Sequence, residues 1–332
     1  MTMFHQLRPW GDLDWVLGHL PGKRWSLLGA VSTEDRCLAT LDTLKGCDGR
    51  SRFLAIIDPD PLDKTLFISA IENRKKEVIA LGVRQSEVVD VKLMAGLDDI
   101  EQEVLKFLEK ASSDIVLDIS SMPKRWFFPV LKFMLSDARV ENLHVSYASP
   151  LSYGEILSEN PEPIRMLPGF SGDGGTEYES VIVGIGFEPL GVPNLFTELQ
   201  INRLRLMFPF PPGPPAFMRN WMFVKLIEEM TEAKEIDTPD RVSLHLYDCP
   251  QIFDALREMT DTADRTSVFA PYGPKPMSLA MCLYSLAASE AFKRPIPVYY
   301  SQPRRYAPDY SSGVRGNSAY CIKLSGRNLY AL

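Results

Sequence analysis

The stretch DIVLDISSMPKRWFFPVLKFML, residues 114–135, decides the fold class of this chain. Its first residues are apolar and rich in β-branched side chains, which predicts a buried strand. After a short polar turn, apolar residues follow at helical spacing. Pro123 suits the first helical position, and Ser120 or Ser121 suits the cap that precedes it. The stretch therefore predicts a strand, a turn and a helix in succession.

The predicted helix start carries a cation, Lys124, with Arg125 beside it. The first backbone N–H groups of a helix have no partner within the helix and favour anions. We therefore expect a phosphate group at this turn, bound by Lys124 with help from Arg125 and from the hydroxyl groups of Ser120 and Ser121.

The same pattern recurs in the second half of the chain. A gapless alignment of the chain on itself places Pro123-Lys124 on Pro274-Lys275, and a later Tyr-x-x-Pro-x-x-Tyr segment occurs at both Tyr147 and Tyr300. Matches in the same order at a strand end, a helix start and the next strand predict an internal duplication.

Length and composition indicate a globular protein with more than one core. The 332 residues exceed what one core usually serves, and 45% of them are hydrophobic. The net charge of -7 argues against an extended nucleic-acid surface. No apolar run reaches the ~20 residues of a membrane span, and the five cysteines form no C-x-x-C pair. We therefore expect a cytoplasmic protein with no membrane contact.

Strands that alternate with helices predict βαβ units in mainly parallel sheets. The fold class that we expect is α/β, with two tandem Rossmann-like halves related by duplication. The expected divisions are a first lobe at 1–150 with an N-terminal extension, a crossover linker at 151–179, a second lobe at 180–306 with an insertion at 191–215, and a basic, tyrosine-containing tail at 307–332.

Acidic residues lie where two of the predicted strands end. Asp58 and Asp60 follow one buried strand, and Glu188 follows a strand of the second half. Ligands of open parallel sheets bind outside the carboxyl ends of the strands. These three residues are therefore the candidates for acid/base or metal-binding roles, although Asp-Pro pairs also commonly form turns.

Further candidate ligand contacts come from the turn before the second Pro-Lys pair, Pro274-Lys275, and from the two tyrosine segments. Tyrosines placed after a proline at a strand end suit stacking on a base, or alternatively form an ordered turn that packs on the core. The candidates are Tyr272, Gly273 and Lys275 in the second turn, and Tyr153, Arg304 and Tyr306 in the tyrosine segments.

A resemblance to a known family rests on two segments, Asp118-Ile-Ser-Ser-Met-Pro-Lys124 and Phe269-Ala-Pro-Tyr-Gly-Pro-Lys275. A strand, a short loop with a basic residue, a helix and a strand that ends near tyrosine resemble the CARF ligand-sensing fold, and two such units in one chain resemble the SAVED arrangement. The resemblance implies a sensor of cyclic oligonucleotide second messengers in a prokaryotic antiviral system. It also implies that the ligand is bound across a pseudo-two-fold centre.

Three functions are consistent with the sequence. The first is a sensor that binds a nucleotide or cyclic oligonucleotide in a cleft between the lobes and signals through a protein effector or as a homo-oligomer. The second is an enzyme that acts on a phosphorylated nucleotide or sugar, and the third is an interaction scaffold. Neither a Walker loop, a G-x-G-x-x-G motif nor a metal-ligand spacing occurs, so no cofactor is predicted.

Overall fold

A computed structural model describes residues 7–20, 24–44, 50–59, 61, 64–173, 175–211, 216–233, 240–262 and 266–332. The helices are α1 (Leu13–His19), α2 (Ala39–Thr43), α3 (Lys64–Ala80), α4 (Leu97–Leu108), α5 (Lys124–Ser136), α6 (Val192–Glu198), α7 (Ala216–Ala233), α8 (Cys249–Met259) and α9 (Lys275–Phe292), with 3₁₀ turns at Asp35–Leu38 and Gln85–Glu87.

The longer strands alternate with these helices, and several two-residue strands form local ladders. The strands are β1 (Trp10–Asp12), β2 (Trp25–Val31), β3 (Ser51–Ile57), β4 (Val88–Lys92), β5 (Asp114–Asp118), β6 (Asn142–Ser149), β7 (Ser152–Tyr153), β8 (Ser158–Pro161), β9 (Arg165–Met166), β10 (Glu177–Gly184), β11 (Gln200–Phe210), β12 (Asp240–His245), β13 (Ser267–Pro271), β14 (Tyr299–Tyr300), β15 (Pro303–Tyr306), β16 (Ser311–Ser312), β17 (Gly316–Leu324) and β18 (Arg327–Asn328).

The chain divides into two compact units. The first comprises Met1–Asn160 and Pro303–Leu329, and the second comprises Pro161–Gln302 and Tyr330–Leu332. Both are α/β units built on a mostly parallel sheet, which confirms the predicted fold class at this level.

The sheet of the first unit has the order β1-β17-β6-β5-β2-β3-β4. The strands from β6 to β4 are parallel to one another. In contrast, β17 is antiparallel to β6, and β1 is antiparallel to β17. The parallel part therefore runs in the chain order fifth, fourth, first, second and third.

The sheet of the second unit has the order β12-β11-β10-β13, and all its pairs are parallel. Val298 forms a further parallel bridge to Phe269 of β13. With Val298 in the fifth place, the order of this sheet equals that of the parallel strands in the first unit. In each sheet the order reverses between the first strand and the fourth.

Apolar residues explain why these elements form and how they pack. Every residue of β2 is buried, as expected for a central parallel strand covered on both faces. The amphipathic helix α4 buries Ile100, Val104 and Phe107 at helical spacing, whereas α9 buries residues around its whole circumference from Pro276 to Ser285. The described residues contain no helix that meets the length and apolarity needed to cross a bilayer.

Two parts of the expected domain organisation differ from the structure. The segment 191–215 contains α6 and the central strand β11, with residues 212–215 outside the described part, so it supplies regular elements of the sheet rather than an insertion. Arg203 and Arg205 interrupt the continuous apolar run that marks a central parallel strand, and Pro209 lies inside the strand, so the sequence pattern did not reveal β11.

The C-terminal segment 307–332 was expected to form a tail. It contains β17, which adds to β6 of the first unit, and the apolar run Ala319–Ile322 is fully buried there. The basic residue Lys323 is also buried and donates from Nζ to the carbonyl oxygen of Asp137 at 3.1 Å. Pairing with a strand of the first unit, rather than composition, decides where this segment lies.

Candidate functional site

In the first unit, the turn after β5 lies at the point where the strand order reverses. Parallel α/β sheets bind ligands at such a switch point, outside the carboxyl ends of the strands. The hydroxyl of Ser121 donates to the carbonyl oxygen of Ala30 in β2 at 3.0 Å, which ties the turn to the neighbouring strand. Ser120 is fully buried, and its Oγ accepts from the backbone N–H of Ala148 at 2.7 Å.

Pro123 is the residue that caps α5, and Lys124 is the first residue of the helix. The helix therefore begins one residue later than predicted, and its cap position is held by Pro123 rather than by Ser120 or Ser121. The Lys124 residue is partly exposed, and the burial around its ammonium group lowers its pKa to about 7. Because removal from water disfavours the charged ammonium, an anion bound nearby would restore its charge.

Arg125 was expected to help bind the ligand, but its guanidinium contacts backbone. Nη2 donates to the carbonyl oxygen of Ala95 at 2.9 Å and approaches that of Met94 at 3.4 Å. Both carbonyls belong to the segment between β4 and α4. These contacts hold the start of α5 against that segment, which indicates a positioning role.

Asp58 follows β3, the strand next to β2. Its side chain is buried, and Oδ2 accepts from the backbone N–H of Tyr306 at 2.9 Å. Burial raises the pKa of Asp58 to about 6, while the Tyr306 N–H opposes the shift. The other acidic candidate of this loop, Asp60, lies outside the described residues.

Three partly exposed tyrosines form a connected series in the first unit. The ring centroids of Tyr153 and Tyr310 are 6.3 Å apart, and those of Tyr310 and Tyr306 are 5.9 Å apart, both in edge-to-face arrangement. The structure thus brings together the two predicted tyrosines through Tyr310, which sequence reasoning missed. We name Tyr153, Tyr306 and Tyr310 the tyrosine series.

A buried ion pair follows β2 in the same unit. Arg36 donates from Nε to Oε2 of Glu34 at 2.8 Å, and Ser311 is hydrogen-bonded to the same carboxylate. The guanidinium carbon lies 5.8 Å from the ring centroid of Tyr147. Burial alone would lower the pKa of Arg36, but the Glu34 carboxylate raises it overall. Both residues escaped prediction because one acidic and one basic residue after a strand form no recognisable motif.

The predicted residue Arg304 and its neighbour Arg305 lie on β15, which ends at Tyr306. Arg305 donates from Nη1 to Oε2 of Glu159 on the paired strand β8 at 3.1 Å. Arg304, which we expected to contact the ligand, is partly buried beside it on β15.

The second unit repeats the helix start of the first at its own switch point. Helix α9 begins at Lys275 after the cap Pro274, whose φ of -53 and ψ of 155 match the φ of -59 and ψ of 152 at Pro123. Neither cap makes a side-chain hydrogen bond to its helix, and Lys275 is partly exposed like Lys124.

The other two residues predicted in this turn are held by the protein itself. The hydroxyl oxygen of Tyr272 accepts from the backbone N–H of Ser301 at 3.0 Å, and burial raises its pKa. At Gly273, a Cβ would lie 2.7 Å from Sδ of Met277. A Cβ at Gly186 would overlap the carbonyl oxygen of Tyr272. Tyr272 and the two glycines therefore set how closely this turn packs on the end of β10.

Glu188 follows β10, which is the first strand of its sheet, whereas Asp58 follows the second strand of its own sheet. The two acids therefore follow different strands of the shared strand order and are not in equivalent positions. The turn after β10 instead corresponds to the turn after β2, where Glu34 lies.

Asn220 on α7 is a further buried polar residue near this turn. Its Nδ2 donates to the carbonyl oxygen of Gly186 at 2.8 Å. The side-chain oxygen is buried and has no hydrogen-bond partner among the described residues. Such an oxygen is costly to bury, which marks this residue as a candidate contact that the sequence did not reveal.

Comparison with known proteins identifies no family. No family model and no curated protein matches the chain. Among solved structures, a functionally unknown protein, PA1789 of Pseudomonas aeruginosa, aligns with 8% identity and a TM-score of 0.25, over 84% of this chain and 92% of that chain. Among the described residues, no group of three or more His, Cys, Asp or Glu side chains is placed to hold a metal ion.

Proposed function

We propose that this protein binds a phosphate-bearing nucleotide through its two Pro-Lys helix starts and acts as a nucleotide sensor. The observation that carries the proposal is the recurrence of one construction at the switch point of both sheets. In each unit the fourth strand leads to a proline cap and a lysine that opens a helix of 13 or 18 residues. Helix N-termini with an adjacent cation are well suited to phosphate.

The electrostatics of Lys124 supports an anionic ligand. With a pKa of about 7, this side chain is mostly neutral at pH 8. A bound phosphate would favour the ammonium form, so binding at pH 8 should take up a proton. The binding enthalpy should therefore change between buffers of different ionisation enthalpy, and this change should be absent in Lys124→Ala.

The tyrosine series supports a nucleotide over a simple phosphate. Partly exposed aromatic rings provide surfaces on which a base can stack, worth about 1–3 kcal/mol per base. The resemblance to CARF and SAVED sensors makes a cyclic oligonucleotide the ligand to test first, with an effector protein or self-association as the output in antiviral defence. Internal duplication belongs to the same proposal, and the equal strand order of the two units supports it.

Thermal unfolding with a panel of ligands tests the proposal. The panel contains mono-, di- and triphosphates of adenosine and guanosine and their 3′,5′-linked cyclic dimers and trimers. A ligand present at 100 times its dissociation constant should stabilise the protein by about 2.7 kcal/mol. We expect a shift with one class of ligand that is reduced in both Lys124→Ala and Lys275→Ala.

Matched controls remove the same charge elsewhere on each unit. Lys132 lies on α5 and Lys225 lies on α7. The variants Lys132→Ala and Lys225→Ala should both bind the ligand as tightly as the wild type does. Loss of the thermal shift in a helix-start variant, with the matched control unchanged, would support a role for that helix start in binding. Undiminished affinity in the variant that lacks both Lys124 and Lys275 would refute the proposed function.

Asp58 favours a second candidate function, an enzyme that acts on the same class of ligand. A buried carboxyl with a pKa of about 6 at the carboxyl end of a strand suits general acid/base chemistry near neutral pH. Conversion of a bound nucleotide that is abolished in Asp58→Asn would favour this function. Binding without turnover would favour the sensor.

A further inference from the structure

The environment of Asp58 is unusual for a buried carboxylate. Among the described residues, its hydrogen-bond donor is the backbone N–H of Tyr306, and no charged side chain perturbs its pKa. Its carboxyl group is acceptor-only when ionised, and its two oxygens offer more acceptor positions than one N–H fills. A ligand donor at this carboxylate would offset part of the cost of its burial.

The position of Asp58 relative to Lys124 suits the sugar of a nucleotide. Asp58 follows β3 and Lys124 follows β5, with β2 between these strands. Adjacent strands are about 4.8 Å apart, so the two strand ends are separated by about 10 Å. With the reach of the lysine side chain, this separation is compatible with a ribose at Asp58 and its phosphate at Lys124.

The tyrosine series begins at the residue that holds Asp58. The backbone of Tyr306 donates to the carboxylate, and its ring faces Tyr310 at 5.9 Å. A base near these rings would therefore lie close to the carboxylate that receives the sugar. Acidic residues at strand ends near a switch point accept ribose hydroxyl groups in parallel α/β sheets.

We propose that Asp58 accepts a hydrogen bond from the ribose 2′-hydroxyl of the ligand, so that the protein selects ribonucleotides over 2′-deoxyribonucleotides. This inference rests on the proposed nucleotide-binding function. A hydroxyl fits the carboxylate because it supplies a donor without adding negative charge. A phosphate at the same place would be repelled, which assigns the phosphate to Lys124 and the sugar to Asp58.

Paired ligands that differ in one hydroxyl group per nucleotide test this inference. The probes are the ligands of the panel above and their 2′-deoxy counterparts, with dissociation constants measured by calorimetry. Hydrogen bonds to charged groups correspond to a tenfold or larger change in affinity. We expect the wild type to bind the ribose form at least about tenfold more tightly.

Asp58→Ala should lower the affinity for the ribose form to near that of the deoxy form. The control Asp98→Asn removes an exposed carboxylate at the start of α4 and should keep the ribose preference. Circular dichroism of each variant establishes that it is folded, and Asp58→Asn provides a second, nearly isosteric change.

The possible outcomes separate the two proposals. If ribose and deoxy forms bind equally to the wild type, or if Asp58→Ala and Asp58→Asn both keep the full preference, the ribose inference is refuted while nucleotide binding stands. If no probe of either kind binds, the proposed function fails, and the ribose inference fails with it.

Discussion

Replacing Asp58 with asparagine should stabilise the first unit at neutral pH. The folded protein holds this carboxyl in a buried position where its pKa rises from 3.8 to about 6. The amide oxygen of asparagine can still accept from the backbone N–H of Tyr306, so this hydrogen bond is retained while the buried charge is removed. A residue retained despite a stability cost is what a ligand-binding role would explain.

The magnitude follows from the pKa difference. A shift of about 2 units corresponds to about 3 kcal/mol at 1.36 kcal/mol per unit. The pKa of Asp58 is higher in the folded than in the unfolded protein. The carboxyl group therefore costs no stability below pH 3.8, and it lowers the free energy of unfolding as the pH rises through about 6. The stabilisation by Asp58→Asn should therefore be complete at pH 7 and vanish at pH 3.8 and below.

Tryptophan fluorescence provides an assay specific for the first unit. Of the five tryptophans, Trp221 is in the second unit and the other four are in the first. In a Trp221→Phe background, urea unfolding of Asp58→Asn, Asp98→Asn and the parent is compared between pH 4 and pH 8. A gain of about 3 kcal/mol should raise the urea midpoint by about 1–3 M at the usual m-value of about 1–3 kcal/mol per M.

Two results would refute this reasoning. Equal stability of Asp58→Asn and its parent at pH 7 would mean that the carboxylate is compensated in the folded protein. A stabilisation that persists unchanged at pH 4 would mean that the effect of asparagine is unrelated to ionisation. Asp98→Asn should show neither effect, since its carboxylate is exposed.

Other variants test the buried groups around the site. His144 is fully buried, and burial lowers its pKa to about 4. The contribution of the neutral imidazole to the free energy of unfolding is therefore fully present above pH 6.5 and is lost as the pH falls toward 4. His144→Leu should remove about 3 kcal/mol of this loss of stability in acid in the same urea assay. Arg36→Met should destabilise the first unit by about 3–5 kcal/mol because it leaves the Glu34 carboxylate buried without its cation, and the added change Glu34→Gln should restore part of that loss. Gly186→Ala should lower the melting temperature of the second unit, since its Cβ would overlap a backbone oxygen, whereas Gly175→Ala, with open space around it, should not; equal effects would contradict the close approach.

Local sequence patterns sufficed for the elements that position the candidate site. The buried strand β5 and, to within one residue, the start of α5 follow from apolar spacing and from Pro123, and the same reasoning located α9 near Lys275. These signals act between residues a few positions apart, which is why the sequence alone determines them. The strand β11 was missed because Arg203 and Arg205 interrupt the continuous apolar run expected of a central parallel strand and because Pro209 lies inside it.

The tertiary structure alone decided which of the candidate residues meet. The bond between Asp58 and Tyr306 joins residues 248 positions apart, and the series Tyr153, Tyr310 and Tyr306 depends on C-terminal segments returning to the first unit. No periodicity encodes these contacts. They arise because the sheet brings strand ends together irrespective of chain distance, and because the C-terminal strand buries its apolar residues by pairing with β6.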